Sequence, residues 1–156
     1  MNKNNLAVIV IVLSIGLFSP NIFAQDDSAF LGYRQSLMKS LGSQMGSIGH
    51  ILKNRLPLKQ QVASHAEIIA INSRLLAAAF EKKITAGRTD AKPAVWRQWS
   101  KFKAAAMATE KEGQKLMEIA GKGSTNELFA QMKNLGMTCG GCHKNFRKPK
   151  SERFKR

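Results

Sequence analysis

Thr138-Cys139-Gly140-Gly141-Cys142-His143 holds both cysteines of the 156-residue chain, and the rest of the sequence is read from it. Cys-x-x-Cys-His is the pattern for covalent attachment of a c-type haem. Two thiols three residues apart can add to the two vinyl groups of one porphyrin as thioethers, and the next residue, His143, then lies beneath the iron. If the segment is helical, Cys139, Cys142 and His143 stand at i, i+3 and i+4 and share one face. One covalent haem c is the expected cofactor, with His143 as its proximal iron ligand. Two rival readings are a thiol-redox pair and part of a tetrahedral metal site. A thioredoxin-like pair should follow a strand and open a helix, whose N-terminus lowers the thiol pKa; this motif lies near the end of a helical pattern. A zinc site would want a fourth ligand, and His50 and His65 are distant in sequence with no paired spacing.

Moving outward, the motif closes an apolar face made by Leu128, Met132, Leu135, Cys139, Cys142, His143 and Phe146. Ser124-Thr125-Asn126-Glu127 opens that helix with a capping box, and Pro149 ends it. After His143 come Lys144, Arg147, Lys148, Lys150, Arg153, Lys155 and Arg156 against a single Glu152. This basic tail, from about residue 149, reads equally as a solvated frayed end and as a docking surface for acidic partners.

Three further helices precede it. Leu31, Met38, Met45 and Leu52 recur every seven positions, with Leu41 and Ile48 between them, predicting a helix over 28–53. Gly42, Gly46 and Gly49 form a smooth stripe inside it, where a flat ring or another helix could approach closely. Pro57 breaks the chain before a second helix over 59–82, with Val62, Ala66, Ile69, Leu76 and Phe80 inward. A longer connection over 84–92 leads to Pro93, placed at the first turn of a third helix reaching about Ala120, with Trp96, Trp99, Phe102, Ala106 and Met117 among its inward positions. No strand pattern is present. The fold expected is all-α, an antiparallel four-helix bundle with covalently bound haem c on its C-terminal helix.

Residues 1–24 read as a cleaved signal peptide, with Lys3 in a positive n-region, an apolar run over 6–18 and a cut after Ala24. The apolar run is short for a membrane span. The mature chain, 25–156, has the size of one domain and is expected in the periplasm. Lys3 is the only charge removed, so the mature chain keeps +14 of the formal +15. Such a surface favours acidic partners, and export argues against nucleic acid as one.

The chain resembles the class II cytochromes c, the cytochrome c' family, over nearly its whole mature length. The likeness rests on Cys139 to His143 followed by Phe146-Arg147-Lys148, on Tyr33-Arg34-Gln35-Ser36-Leu37-Met38-Lys39, and on Pro93-Ala94-Val95-Trp96. It implies a left-handed four-helix bundle with the haem on the fourth helix, covered by the first. It also implies Met38 opposite His143, Arg34 at a haem propionate, Phe80 packed near the haem, Trp96 opening helix three, and Arg147 near the proximal imidazole. Two branches share this architecture: gas-binding high-spin proteins with a vacant sixth position, and low-spin carriers in which a methionine sulfur fills it. The expectation is the second, a periplasmic one-electron carrier ligated by His143 and Met38, not an enzyme, with Met45 the second choice of ligand. Met107, Met117, Met132 and Met137 are then packing residues. The alternatives are a five-coordinate cytochrome c' that binds nitric oxide or carbon monoxide, and a haem-free thiol-redox or structural protein. Expected partners are redox proteins with acidic docking surfaces and the cytochrome c maturation machinery. The glycine stripe suits a homodimer or a monomer. Ala77 and Ala78 stand where several family members carry bulkier side chains, leaving the packing on that side of the pocket open.

Overall fold

The computed structural model describes residues 22–154. Residues 1–21, most of the expected signal peptide, lie outside them, and the first helix already runs through the expected cut after Ala24. The elements are α1 (Ile22–Lys53), α2 (Lys59–Glu81), α3 (Ala94–Arg97), α4 (Trp99–Ala120) and α5 (Thr125–Phe146), followed by a 3-10 turn, Lys150–Glu152. Four long helices and no strands among the described residues make the all-α bundle that the apolar periodicities predict.

The expected third helix is two. Gln98 leaves the helical region at φ −121° and ψ 44° and divides the single turn α3 from α4. The break lets the Trp96 indole turn back and donate to the Phe80 carbonyl at 2.8 Å, while Trp99 stacks on Phe102 at 5.4 Å. The capping box of α5 forms as expected: the Ser124 hydroxyl accepts from the Glu127 amide at 3.3 Å, and the Ser124 amide donates to Glu127 Oε2 at 2.7 Å. The helix stops at Phe146, before Pro149 is reached, because Arg147 is already extended at φ −111° and ψ 141°.

As far as Phe154 the basic tail is not frayed. Arg147 forms an antiparallel bridge with Ala91, Lys92 N–H donates to the Phe146 carbonyl at 2.8 Å, and Lys148 N–H donates to the Asp90 carbonyl at 2.8 Å. Residues 148–154 fold back over the connection between α2 and α3.

Two apolar clusters fill the bundle. One contains Ile48, Ile69, Leu116, Leu128 and Leu135, all fully buried, with Leu52 and Val62. The other contains Leu37, Leu76, Phe80, Val95, Phe102, Ala106 and Phe146, with the Phe102 ring 5.1 Å from Phe80 and 5.4 Å, edge-on, from Phe146. α2 packs along α4 and α1, and α5 along α4, but α1 and α5 scarcely touch. A cleft separates them at the end holding the second cluster.

The glycine stripe is not what brings surfaces together. A Cβ at Gly42 or Gly46 would meet nothing within 4 Å, and only Gly49 faces a neighbour, Met132 Cε at 3.3 Å. The close approach is at Gly113 on α4, where a Cβ would lie 3.2 Å from the Ala66 carbonyl oxygen and 3.2 Å from the Ala70 nitrogen of α2.

Candidate functional site

α5 carries Cys139, Cys142 and His143 at helical spacing, all half-buried. Burial raises the pKa of both thiols, that of Cys142 to about 11 with Cys139 adding to the rise. A thiol-redox pair needs the opposite, a thiol held low enough to ionise. Among the described residues no three His, Cys, Asp or Glu gather into a metal cage. His65 instead pairs with Gln44 Oε1 at 2.5 Å, and His50 is exposed. The rival readings of the motif therefore find no support in its surroundings.

The His143 imidazole is held below its ordinary pKa, first by burial and then by the charges of Arg147 and Arg153. A neutral imidazole is the form that binds metal. His143 and Cys142 line the cleft from α5, together with Phe146. Leu31, Arg34, Gln35, Met38 and Lys39 line it from α1, Phe80 from α2, Val95 from α3 and Phe102 from α4. Arg88, Thr89, Asp90 and Ala91 of the connection, with Arg147 and Phe154, complete the wall. The expected residues Arg34, Met38, Phe80, Cys142, His143 and Arg147 thus converge on one slot. Cys139 lies one turn earlier on α5, and Trp96 stands behind Phe80.

Arg34 is almost fully buried. Its Nε donates to the Ala79 carbonyl at 2.7 Å and its Nη2 to the Lys82 carbonyl, so it satisfies the free carbonyls at the end of α2. The guanidinium lies 4.8 Å above the Phe80 ring. Its Nη1 is buried without a partner at the cleft, a donor left over for an anionic group. A haem propionate is such a group, and the thiol pair, the imidazole and this spare donor together fit haem c.

Arg147 sits beside His143, as expected, but is held by Asp90: Nη2 to Oδ2 is 3.0 Å and Nε to Oδ2 is 3.4 Å. Ala78 is exposed and neither it nor Ala77 lines the cleft, so bulk there is not needed; Phe102 and Phe146 supply it. Met107 and Met137, expected as packing, are 56% and 59% exposed. Met45, Met117 and Met132 do pack on the first cluster. Sequence reading missed Asp90 and Phe154, and gave the connection over 84–92 no place at the site. The signal available was that Asp90 is the sole acid between Glu81 and Glu110.

Fold and site define a c-type haem protein, a four-helix bundle with the attachment motif on its last helix. The sequence profile described as Cytochrome C' matches residues 29–147. Cytochrome c' of Pararhodospirillum photometricum is 38% identical over 121 residues, covering 76% of this chain and 96% of the relative. Cytochrome c' of Rhodospirillum rubrum is 34% identical over 142 residues, covering 88% and 96%. Among solved structures, a nitric oxide complex of a leucine-to-alanine variant of cytochrome c prime from Alcaligenes xylosoxidans superposes with a TM-score of 0.70 at 29% identity, covering 80% of this chain and 97% of that one. The chain belongs to the cytochrome c' family, which carries one covalent haem c with its iron.

This overturns the expectation of a low-spin electron carrier ligated by His143 and Met38. The two relatives named above are cytochromes c', and a variant of a third cytochrome c' is solved as a nitric oxide complex. A small ligand of that kind needs an iron position that a thioether from the chain would occupy. Met38 has an ordinary use here: it packs, half-buried, against the Leu37, Phe80 and Phe102 cluster.

Proposed function

We propose that this chain is a five-coordinate haem protein that binds nitric oxide or carbon monoxide opposite His143. The observation that carries the reading is the make-up of the cleft: of the chain's three histidines only His143 lines it, and the apolar part of the wall from α1, α2 and α4 is Leu31, Met38, Phe80 and Phe102, beside Arg34, Gln35 and Lys39 of α1. Haem iron supplies a coordination position that takes a small neutral diatomic molecule. Cys139 and Cys142 would hold the porphyrin to α5, and His143, kept neutral by burial, would supply its imidazole from the same helix. Arg34, anchored on the carbonyls of Ala79 and Lys82, offers Nη1 to a propionate. Met38, Phe80 and Phe102 would present an apolar surface to the haem on that side of the slot. Arg147, tied to Asp90, places a fixed positive charge near the imidazole.

The protein acts in the periplasm as one domain, residues 25–156, exported by residues 1–24 and loaded by the cytochrome c maturation machinery. It is a binding protein, not an enzyme. Its basic surface suits acidic partners. The test is the spectrum of holoprotein from an export-competent host with haem maturation. High-spin ferric iron at neutral pH and prompt carbon monoxide uptake by the ferrous form are expected. Low-spin ferric iron with a sulfur-to-iron charge-transfer band would overturn the proposal.

A further inference from the structure

The family match ends at residue 147, yet residues 148–154 are folded, and they are fastened at Asp90. Its Oδ2 accepts from Arg147 Nη2 at 3.0 Å, its Oδ1 from the Phe154 backbone N–H at 3.1 Å, and its carbonyl oxygen from Lys148 N–H at 2.8 Å. The carboxylate side chain is 17% exposed, so these bonds compete with little water. Lys148 Nζ adds a bond to the Thr89 carbonyl at 3.0 Å, Arg153 Nε one to the Lys148 carbonyl at 2.9 Å, and Arg88 lies 5.4 Å over the Phe154 ring. Asp90, Arg147, Phe154 and His143 all border the same cleft. The segment is a strap tied to the connection at the edge of that cleft, which it reaches through Phe154.

We infer that Asp90 is a positioning residue for the His143 side of the haem: its carboxylate holds the Arg147 guanidinium beside the imidazole and pins residues 148–154 at the edge of the cleft. Without that carboxylate, Arg147 becomes a loose cation next to the iron ligand and the strap loses two of its anchors, the Oδ2 bond from Arg147 and the Oδ1 bond from Phe154. The inference rests on haem attachment and not on which gas binds.

The test compares Asp90→Asn, Asp90→Glu and Arg147→Gln holoproteins by backbone amide exchange and by reduction potential. Losing charge-assisted bonds in Asp90→Asn should speed exchange of the Phe154 amide about ten- to hundredfold. Removing a negative charge near the iron should also raise the potential, because the ferric state carries the extra positive charge. Arg147→Gln should free the strap likewise but lower the potential, and Asp90→Glu should return the potential towards the parent value. Faster exchange with an unchanged potential would reduce Asp90 to a fastener of the tail and overturn the inference, as would unchanged exchange. If Asp90→Asn gives no folded holoprotein, the other two variants decide it: a lowered potential with faster Phe154 exchange in Arg147→Gln, against near-parent values of both in Asp90→Glu, supports the inference, and near-parent values in both variants overturn it. Neither readout uses a gas, so a failure here is separate from a failure of the proposed function.

Discussion

Met38 lines the cleft from α1 as His143 does from α5, and its role divides the two kinds of haem chemistry open to this bundle. If it is a wall residue, Met38→Ala should leave ferric iron high-spin and quicken carbon monoxide association with the ferrous form, because a side chain in the ligand's path is shortened. Stability should fall towards the lower end of the about 2 to 5 kcal/mol typical of Met→Ala, since the residue is only half-buried. Visible spectra and denaturant unfolding of holoprotein check both. Among single residues, Cys139, Cys142 and His143 were legible because bond chemistry fixes their spacing. Arg34 was legible only as a position on α1. Its two acceptors are backbone carbonyls, of Ala79 and Lys82, and a carbonyl leaves no mark in a sequence. Asp90 left only the mark of a lone acid for a related reason: what makes it matter is a guanidinium 57 positions away.

Periodicity served well for elements whose burial repeats every turn. α2 buries Val62, Ala66, Ile69, Leu76 and Phe80, the face that its spacing predicts. It served poorly where backbone departs from the repeat without Gly or Pro, as at Gln98, and where a charged segment is held by backbone bonds, as in residues 148–154. Glycines show the same limit, because spacing does not say which of them faces a neighbour. Gly42→Ala and Gly46→Ala, each with open space around the added methyl, should stabilise α1 by about 0.5 to 1 kcal/mol through helix propensity. Gly113→Ala should destabilise despite the same propensity gain, because the methyl meets backbone of α2 and Ala70 Cβ at 3.3 Å, and the two helices must move apart. Thermal unfolding of the three holoproteins under one condition gives the signs. A higher midpoint for Gly113→Ala would mean that α2 and α4 yield more easily than their packing implies.

The molecule as a whole has one half closed by side chains and one half closed around a cleft. In the first, Ile48, Ile69, Leu116, Leu128 and Leu135 meet across four helices; in the second, α1 and α5 stand apart. Removing both thiols, as Cys139→Ala/Cys142→Ala, should therefore loosen the molecule unevenly. Amide protection around Leu37, Val95 and Phe102 should drop, while Ile69, Leu116 and Leu135 keep theirs. Equal loss everywhere would show one cooperative unit instead of two. The clasp at Asp90 adds a temporal dimension. It joins positions on either side of α3, α4 and α5, and the entropy lost in closing so long a loop is offset only after those helices have brought its ends together. It is then a late contact in assembly. A newly made chain should therefore form α5, with Cys139, Cys142 and His143 on it, before the strap beside them shuts, which would leave the attachment chemistry an interval set by the order of folding.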